Sequence, residues 1–251
     1  MSGHSHWSTI KRKKGAADAK RGQLFTKLAK EITIVARDGG GDPEMNLRLQ
    51  YAIDRAKANN MPKDNIDRAI KRGTGELKDG LEMEEINYEG YAPHGIALIM
   101  FCVTENRNRT VSDIRHVLTR SGGALADVGS VMWQFTRSAY FSFQCDDCDQ
   151  DRVFELAVEA GADDVTFDDS VAEIIGEIEV FGEISYHLKN AGIKPEEAEL
   201  RMIPNNPIEL DQEQTLQVIR VIEDLENLDD VQEVYYNLNL SEEMVAVLEN
   251  E

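Results

Sequence analysis

The chain of 251 residues has few cysteines, no long apolar run and far fewer basic than acidic residues. Its three cysteines, Cys102, Cys145 and Cys148, provide no disulfide framework, which is typical of a protein in a reducing cytoplasm. No apolar run approaches the ~20 residues that a membrane-spanning helix needs, and the N-terminus has no apolar signal core. We therefore expect a cytoplasmic protein that is neither secreted nor embedded in a membrane.

Sequence motifs for catalysis and metal binding are also missing. The chain has no G-x-x-x-x-G-K-[ST] or G-x-G-x-x-G loop, no H-E-x-x-H and no G-x-S-x-G. Cys145 and Cys148 form a C-x-x-C, but no second pair completes a zinc site, and the aspartates between them oppose thiolate formation. We interpret this stretch as an acidic surface turn. The sequence predicts no enzyme, no cofactor and no metal.

Negative charge is in excess, and it is unevenly distributed. The chain has 27 basic and 47 acidic residues, a net charge of −20. Residues 1–80 hold 17 basic and 10 acidic residues, a net of +7, so residues 81–251 hold the remaining 10 and 37, a net of −27. A phosphate backbone would repel that acidic body and attract the N-terminal part. The alternative is that the acidity serves solubility alone.

The positive charge is concentrated in residues 11–37, which hold nine basic and two acidic residues. A helix from about 16 to 36 is predicted, because Gly22 is its one weak point and the glycines at 39–41 end it. Helical periodicity places Leu24, Leu28 and Ile32 on one side and the lysines on the other. One face can therefore be buried while the other meets phosphates, although an ordinary solvated lysine face would show the same pattern.

The candidate nucleic-acid contacts are the cations of this segment and a tryptophan that would stack on a base or, alternatively, pack onto the first helices. They are Trp7, Lys11, Arg12, Lys13, Lys14, Lys20, Arg21, Lys27 and Lys30.

The sequence predicts an α+β protein. Two further helices, beginning at Asp42-Pro43 and at Pro62, complete a three-helix bundle, and residues 1–80 form a basic helical domain. Residues 136–204 follow the order β-α-β-β-α-β of a ferredoxin-like domain. Residues 81–135 and 205–251 supply the parts of a second such domain, into which the first is inserted. Residues 131–135 are predicted to be a strand.

A secondary anion site is predicted at the start of a helix in the acidic body. The stretch from Thr104 to Thr110 contains Arg107 and Arg109, whose guanidinium groups, together with the helix dipole, would hold a phosphate. The alternative is internal: the arginines bridge domains or pair with some of the 37 acidic residues of the body.

Seven stretches distributed along the whole chain form a distinctive set: SGHSHWSTIKRKKGAADAKRG, LFTKLAKEI, NNMPKDNIDRAIKRGTG, YEGYAPHGIAL, ENRNRTVSDIRH, GSVMWQF and DDVQEVYYN. In this order they resemble the YebC/PmpR family, which includes the mitochondrial translational activator of cytochrome c oxidase. The resemblance implies a helical N-terminal domain, two ferredoxin-like domains and a cytoplasmic, non-enzymatic protein. Three positions depart from the family pattern: His6 replaces a lysine, His94 replaces a glycine, and the cluster at 11–14 lacks histidine.

Members of that family are described as transcriptional regulators that bind promoter DNA, or as translation factors that help the ribosome through proline-rich stretches. Three hypotheses follow for this chain, which we expect to be a monomer. It is a DNA-binding transcriptional regulator that uses its basic N-terminal domain, or a ribosome-associated factor that binds ribosomal RNA. The third hypothesis is an acidic scaffold whose basic module docks onto its own body.

Overall fold

A computed structural model describes residues 18–77, 83–145, 148–168, 171–240 and 244, and gives the backbone alone for residues 18–21 and 168. The fold is mixed α+β, as predicted, with helices first and antiparallel sheets after them. The elements in chain order are α1 (Asp18–Gly39), α2 (Leu47–Ala58), α3 (Lys63–Gly73), β1 (Glu84–Tyr91), β2 (Ala97–Thr104), α4 (Arg107–Arg120), β3 (Ala124–Leu125), β4 (Phe135–Gln144), α5 (Gln150–Glu159), β5 (Asp164–Asp168), β6 (Val171–Gly176), α6 (Phe181–Asn190), β7 (Glu197–Pro204), β8 (Ile208–Glu209), α7 (Gln212–Glu226), β9 (Val231–Tyr236) and β10 (Leu238–Asn239).

The chain divides into two compact units. The first unit comprises Ile32–Glu76 and Arg137–Ile203, and the second comprises the described residues of Ser2–Glu31, Leu77–Thr136 and Pro204–Glu251. The residues of α1 are therefore shared, those up to Glu31 belonging to the second unit and those from Ile32 to the first. Among the described helices, none combines the length and the apolar character needed to cross a membrane.

A four-stranded sheet in the order β5-β6-β4-β7 forms the centre of the first unit. Its strands and the helices α5 and α6 follow the predicted β-α-β-β-α-β order. Alternate residues of β4, such as Phe141 and Phe143, join Ile174, Ile184 and Leu188 in a buried core. The apolar sides of α5 and α6 therefore cover one face of the sheet.

The opposite face of this sheet carries buried polar side chains. Tyr140 donates from its hydroxyl to Glu173 Oε1 at 2.6 Å, and the guanidinium of Arg201 lies 3.7 Å from the centre of the Tyr140 ring. Arg201 also forms ion pairs with Glu197 at 2.8 Å and Glu199 at 2.7 Å. Burial raises the pKa of Tyr140, so its hydroxyl stays a donor. The buried guanidinium of Arg201 is therefore neutralised by two carboxylates, and Glu173 is satisfied by a hydroxyl donor.

Asn46, and not the predicted Asp42-Pro43, begins the second helix. Asn46 Oδ1 accepts from the amide of Leu49 at 3.1 Å, and its Nδ2 donates to the carbonyls of Val35 and Gly40 at 3.0 and 2.9 Å. Asp42 instead accepts from the amide of Glu44 in the preceding turn. A buried asparagine with three partners both caps α2 and fixes the connection from α1, which a cap at position 42 would not do.

Within the first unit, the part of α1 from Ile32 onward packs closely against α3. Gly73, at the end of α3, lies so near the Thr33 carbonyl of α1 that a Cβ atom would collide with it. Thr33 Oγ1 donates to the carbonyl of Ala69 at 3.2 Å, and Ile66 is buried on the same helix. The predicted bundle of three amphipathic helices is thus present, and Gly73 permits a close approach as well as ending a helix.

The second unit contains a sheet in the order β3-β1-β2-β9 and a short parallel pair, β8 with β10. Its core is formed by apolar residues of β2, α4, α7 and β9, among them Met100, Ile114, Ile222 and Val234. The predicted strand at 131–135 is wrong, because Met132–Gln134 is a 3₁₀ turn and β4 begins only at Phe135.

Cys145 is not in the predicted surface turn. It is buried against the core of the first unit because β4 alternates and position 145 falls on the same side as Phe141 and Phe143. Cys145 and Cys148 are joined as a disulfide, and Cys148 is partly buried against the same core. Cys102 is buried in the second unit with a free thiol.

Candidate nucleic-acid interface

The predicted contact residues are distributed unevenly over the described structure. Lys20 and Arg21 lie near the N-terminus of α1, where the backbone is described. Lys27 and Lys30, whose side chains are described, lie about two and three turns beyond Lys20. The remaining candidates lie outside the described residues: Trp7, Lys11, Arg12, Lys13 and Lys14.

Lys30 directs its charge into the second unit. Its Nζ donates to the carbonyls of Val103 and Asp229, both at 2.9 Å, and to Asp230 Oδ1 at 3.0 Å. Three acceptors at these distances use all three protons of an ammonium group. A phosphate oxygen could bind Lys30 only by replacing one of these contacts.

Lys27 and Gln23 contact the same turn between α7 and β9. Lys27 Nζ donates to the carbonyl of Glu226 at 2.6 Å. Gln23 Nε2 lies 3.2 Å from the carbonyl of Asn227 and 3.3 Å from Asp229 Oδ1. Together with Lys30, these side chains fasten the first half of α1 to the rest of the second unit. In the structure they therefore position the helix.

Asp230 is the acceptor at the centre of this contact. Besides Lys30, it receives Arg109 Nη2 at 2.6 Å, Thr104 Oγ1 at 3.1 Å and Thr110 Oγ1 at 2.9 Å. Burial alone would raise the pKa of the Asp230 carboxyl, but hydrogen bonds from Arg109, Lys30 and Thr110 outweigh it and lower that pKa to about 2. The carboxylate therefore stays charged and holds the two cations together.

The two arginines of the predicted secondary anion site pair internally. Asn106 caps α4 by accepting from the amide of Arg109 at 3.1 Å. The Arg109 side chain bonds Asp230, and Arg107 Nε lies 3.6 Å from Glu84 Oε2. In the structure, both arginines pair with acidic residues of the body, which is the alternative given above. A phosphate at this position stays a prediction.

Exposed cations on α2 and α3 are not among the predicted contact residues. Residues 47–73 contain seven basic and three acidic residues, a net of +4. Arg48, Lys63, Arg68 and Lys71 are exposed, and none of these four makes an ion pair with another described residue. Arg68 and Lys71 share one face of α3, opposite the buried Ile66 and Ala69. The spacing of Arg68 and Lys71 in the sequence could have indicated this basic face. The denser cluster of cations at residues 11–37 drew the prediction there instead.

Metal binding finds no support in the described part of the chain. No group of three or more His, Cys, Asp or Glu side chains is arranged there to hold an ion. The described residues offer instead the exposed cations of α2 and α3, which are of the kind that contact phosphate.

Comparison with known proteins gives matches along nearly the whole chain. Residues 5–76 match the family model described as the TACO1/YebC protein N-terminal domain, and residues 83–238 match that of the TACO1/YebC second and third domain. A protein of Chlorobaculum tepidum is 51% identical over 252 residues that cover 100% of both chains, and one of Syntrophus aciditrophicus is 48% identical over 99% of both. Both are named "probable transcriptional regulatory protein".

A solved structure has the same fold. The crystal structure of a conserved hypothetical protein from Aquifex aeolicus superposes with a TM-score of 0.80 at 42% identity. The match covers 90% of this chain and 93% of that one.

Proposed function

The chain belongs to the TACO1/YebC family, and from this premise we propose that it is a cytoplasmic regulatory protein that binds nucleic acid through its basic N-terminal helices. The proposed target is promoter DNA and the proposed role is transcriptional regulation, in keeping with the names of its relatives. The protein binds and does not catalyse, and it acts as a monomer.

The observation that carries the proposal is the division of charge. Residues 1–80 have a net charge of +7 on a chain whose remainder has −27. Binding to DNA is driven largely by cations that displace condensed counterions from phosphates, and an acidic surface cannot do this. The polymer would therefore meet the N-terminal helices first.

The cations of the N-terminal region take different roles in this proposal. Lys27 and Lys30 hold α1 in place through the contacts described above. Phosphate contact falls to residues 11–14, to Lys20 and Arg21, and to the exposed Arg68 and Lys71 of α3. Trp7 would add stacking on a base, which favours a strand with accessible bases.

Ribosomal RNA is the second candidate target. A narrow basic region on a strongly acidic protein suits a polyanion with deep cavities better than a long open duplex. In that case the basic segment would enter a site in ribosomal RNA, and the regulation would act on translation.

The test is a salt titration of binding with a charge-matched control. In one variant the four cations Lys11, Arg12, Lys13 and Lys14 are changed to glutamine. In the control, the same change is made at four exposed cations of the acidic body, Arg115, Arg152, Lys189 and Lys194. Both variants lose four positive charges, so only the location of the charge differs.

Fluorescence anisotropy with duplex DNA between 50 and 200 mM salt gives the slope of log K against log salt. Each lost phosphate contact lowers the slope by about 0.9, so the N-terminal variant is expected to lose up to ~4. The control variant should keep the wild-type slope. Equal slopes for all three proteins would contradict the proposal.

The choice between DNA and ribosomal RNA needs a measurement in cells. Ultraviolet crosslinking followed by sequencing of the attached nucleic acid should recover promoter fragments if the protein regulates transcription. Recovery of ribosomal RNA, together with sedimentation of the protein with ribosomal particles, would support the second candidate instead.

A further inference from the structure

Two apolar side chains stand out into solvent from one loop of the second unit. Val128 is 93% exposed and Trp133 is 69% exposed, and both lie between β3 and β4. Most tryptophans in folded proteins are largely covered, and tryptophan is enriched among the residues that dominate binding energy at interfaces. An exposed tryptophan and an exposed valine on the same loop therefore indicate a contact surface.

The loop is held in one shape by a buried carboxylate. Glu89, 4% exposed, accepts from the amides of Gly129 at 2.6 Å, Val131 at 2.6 Å and Met132 at 2.9 Å. Its own backbone carbonyl accepts from the amide of Ala126 at 2.9 Å. Although burial raises the pKa of Glu89, these three amide donors outweigh it and lower that pKa, so the carboxylate persists.

This anchoring matters for binding because a loop that is already ordered loses little conformational entropy when a partner docks. The three amide bonds to Glu89 hold the backbone of this loop before any partner arrives. The anchoring and the exposure of Val128 and Trp133 thus point the same way.

The polar group of the Trp133 indole ring already has a partner within the loop. Nε1 donates to the carbonyl of Ser130 at 2.9 Å, and the Trp133 carbonyl accepts from Asn205 Nδ2 at 3.2 Å. Tyr91 adds a hydroxyl contact to the same Ser130 carbonyl at 3.4 Å. Since the donor of the indole is already used, the ring is left to make apolar contacts.

Charge decides between the classes of partner. Residues 121–135 contain one charged side chain, the exposed Asp127, and no cation. Residues 83–136 and 204–240, which make up most of this unit, hold 15 acidic and five basic residues, a net of −10. A nucleic acid would find no counter-charge here, whereas a basic protein surface would be attracted.

We propose that the loop of residues 126–134 is a docking surface for a protein partner that offers an apolar socket for Trp133 and Val128 and a rim of lysine and arginine side chains. The surface is separate from the basic helices, and the inference does not depend on the proposed binding of nucleic acid.

A photo-crosslinking amino acid, p-benzoylphenylalanine, placed at Val128 of the full chain in the cells that produce it, tests this directly. The same amino acid at Phe154, an exposed aromatic on α5, is the control. Mass spectrometry of the adduct identifies what was bound. A peptide of another protein with a net positive charge, captured from position 128 and not from 154, supports the proposal. A nucleic-acid adduct, an adduct to a second copy of this chain, or no specific adduct at position 128 would each overturn it.

Binding of the purified, identified partner then gives the contribution of each side chain. Changing Trp133→Ala is expected to weaken binding at least ~10-fold, as at an interface hot spot, and Val128→Ser several-fold. Phe154→Ser removes an exposed aromatic from the first unit and should leave the affinity unchanged. Both loop residues are on the surface, so the variants should fold. Equal losses from Trp133→Ala and Phe154→Ser would show that the contact is not specific to this loop.

Discussion

Asp230 accepts hydrogen bonds from four side chains of the second unit: Lys30, Thr104, Arg109 and Thr110. Its pKa in the folded protein is about 2, below the ordinary value of 3.8. A depressed carboxyl pKa stabilises the folded state above the unfolded-state value and loses that effect as the pH falls towards the folded-state value. At ~1.4 kcal/mol per pKa unit, this shift is worth about 2 kcal/mol at neutral pH.

The change Asp230→Asn should therefore make the protein less stable at pH 7, by roughly 2–4 kcal/mol, because it also leaves the ammonium of Lys30 without its counter-charge. The difference from the wild type should shrink by about 1 kcal/mol between pH 7 and pH 3, because in that range the wild-type carboxyl takes up a proton in the unfolded chain and largely not in the folded one. Urea unfolding followed by circular dichroism at a series of pH values measures it. The neighbouring change Asp229→Asn, at an exposed carboxyl, is the control and should have a smaller effect with no such trend.

At this scale the sequence identified residue types but not their partners. Lys30 and Asp230 are separated by 200 positions, and nothing in the local pattern of either connects them. A lysine on the polar side of an amphipathic helix looks the same whether it meets solvent, phosphate or a buried carboxylate. The internal pairing of Arg109 was foreseen as one alternative, because acidic residues outnumber basic ones so strongly in the body.

Helix α1 has two sets of cations with different expected roles. The set at positions 27 and 30 bonds to the turn before β9, and the set at positions 20 and 21 precedes that contact in the chain. Positioning and phosphate contact can be separated because they affect different measurements. Loss of a positioning bond lowers stability, whereas loss of a phosphate contact lowers the salt dependence of binding.

We expect Lys30→Gln to lower the free energy of unfolding by about 1–3 kcal/mol and to leave the salt slope of DNA binding unchanged once the folded fraction is taken into account. Lys20→Gln is the matched comparison, with the same chemical change ten positions earlier on α1. It should keep the stability and reduce the slope by about 0.9. Chemical unfolding and anisotropy on the same samples provide both readings. A slope reduced equally by the two changes would make Lys30 a phosphate contact after all.

Elements with a clear period were predicted well, and those defined by a distant side chain were not. The strand Asp164–Asp168 and the helix Phe181–Asn190 occupy their places in the predicted β-α-β-β-α-β order, since alternation and helical spacing are local properties. Residues 131–135 are apolar enough for a strand, but Glu89 takes the amides of Val131 and Met132 that a strand would use. The start of α2 failed similarly, because Asn46 is selected as cap by its bonds to α1.

For the whole molecule, the order of helices and strands predicted the ferredoxin-like sheet of the first unit, and the family resemblance agreed with it. The predicted boundaries of three domains stay a prediction. The compact units divide α1 between Glu31 and Ile32, a division that no change in composition marks, because the helical pattern runs through it without interruption. The candidate interface was predicted from the net charge of residues 1–80, which can be counted without knowing the fold. The individual contact residues could be predicted only in part, because their partners depend on the fold.

The net charge of −27 on residues 81–251 leads to a prediction for the molecule as a whole. If the acidic body repels a polyanion, neutralising exposed acidic residues should speed association with DNA. A variant with glutamine or asparagine at eight of them would remove eight negative charges without touching the described core: Glu105, Asp113, Asp151, Glu155, Glu159, Glu183, Glu213 and Glu223.

At 50 mM salt we expect the association rate of this variant with DNA, measured by stopped-flow fluorescence, to rise about 10-fold or more. At 200 mM salt the rates of variant and wild type should converge, because the screening length falls below ~10 Å. Rates that are equal at both salt concentrations would mean that the acidity keeps the protein soluble and does not direct where a nucleic acid binds.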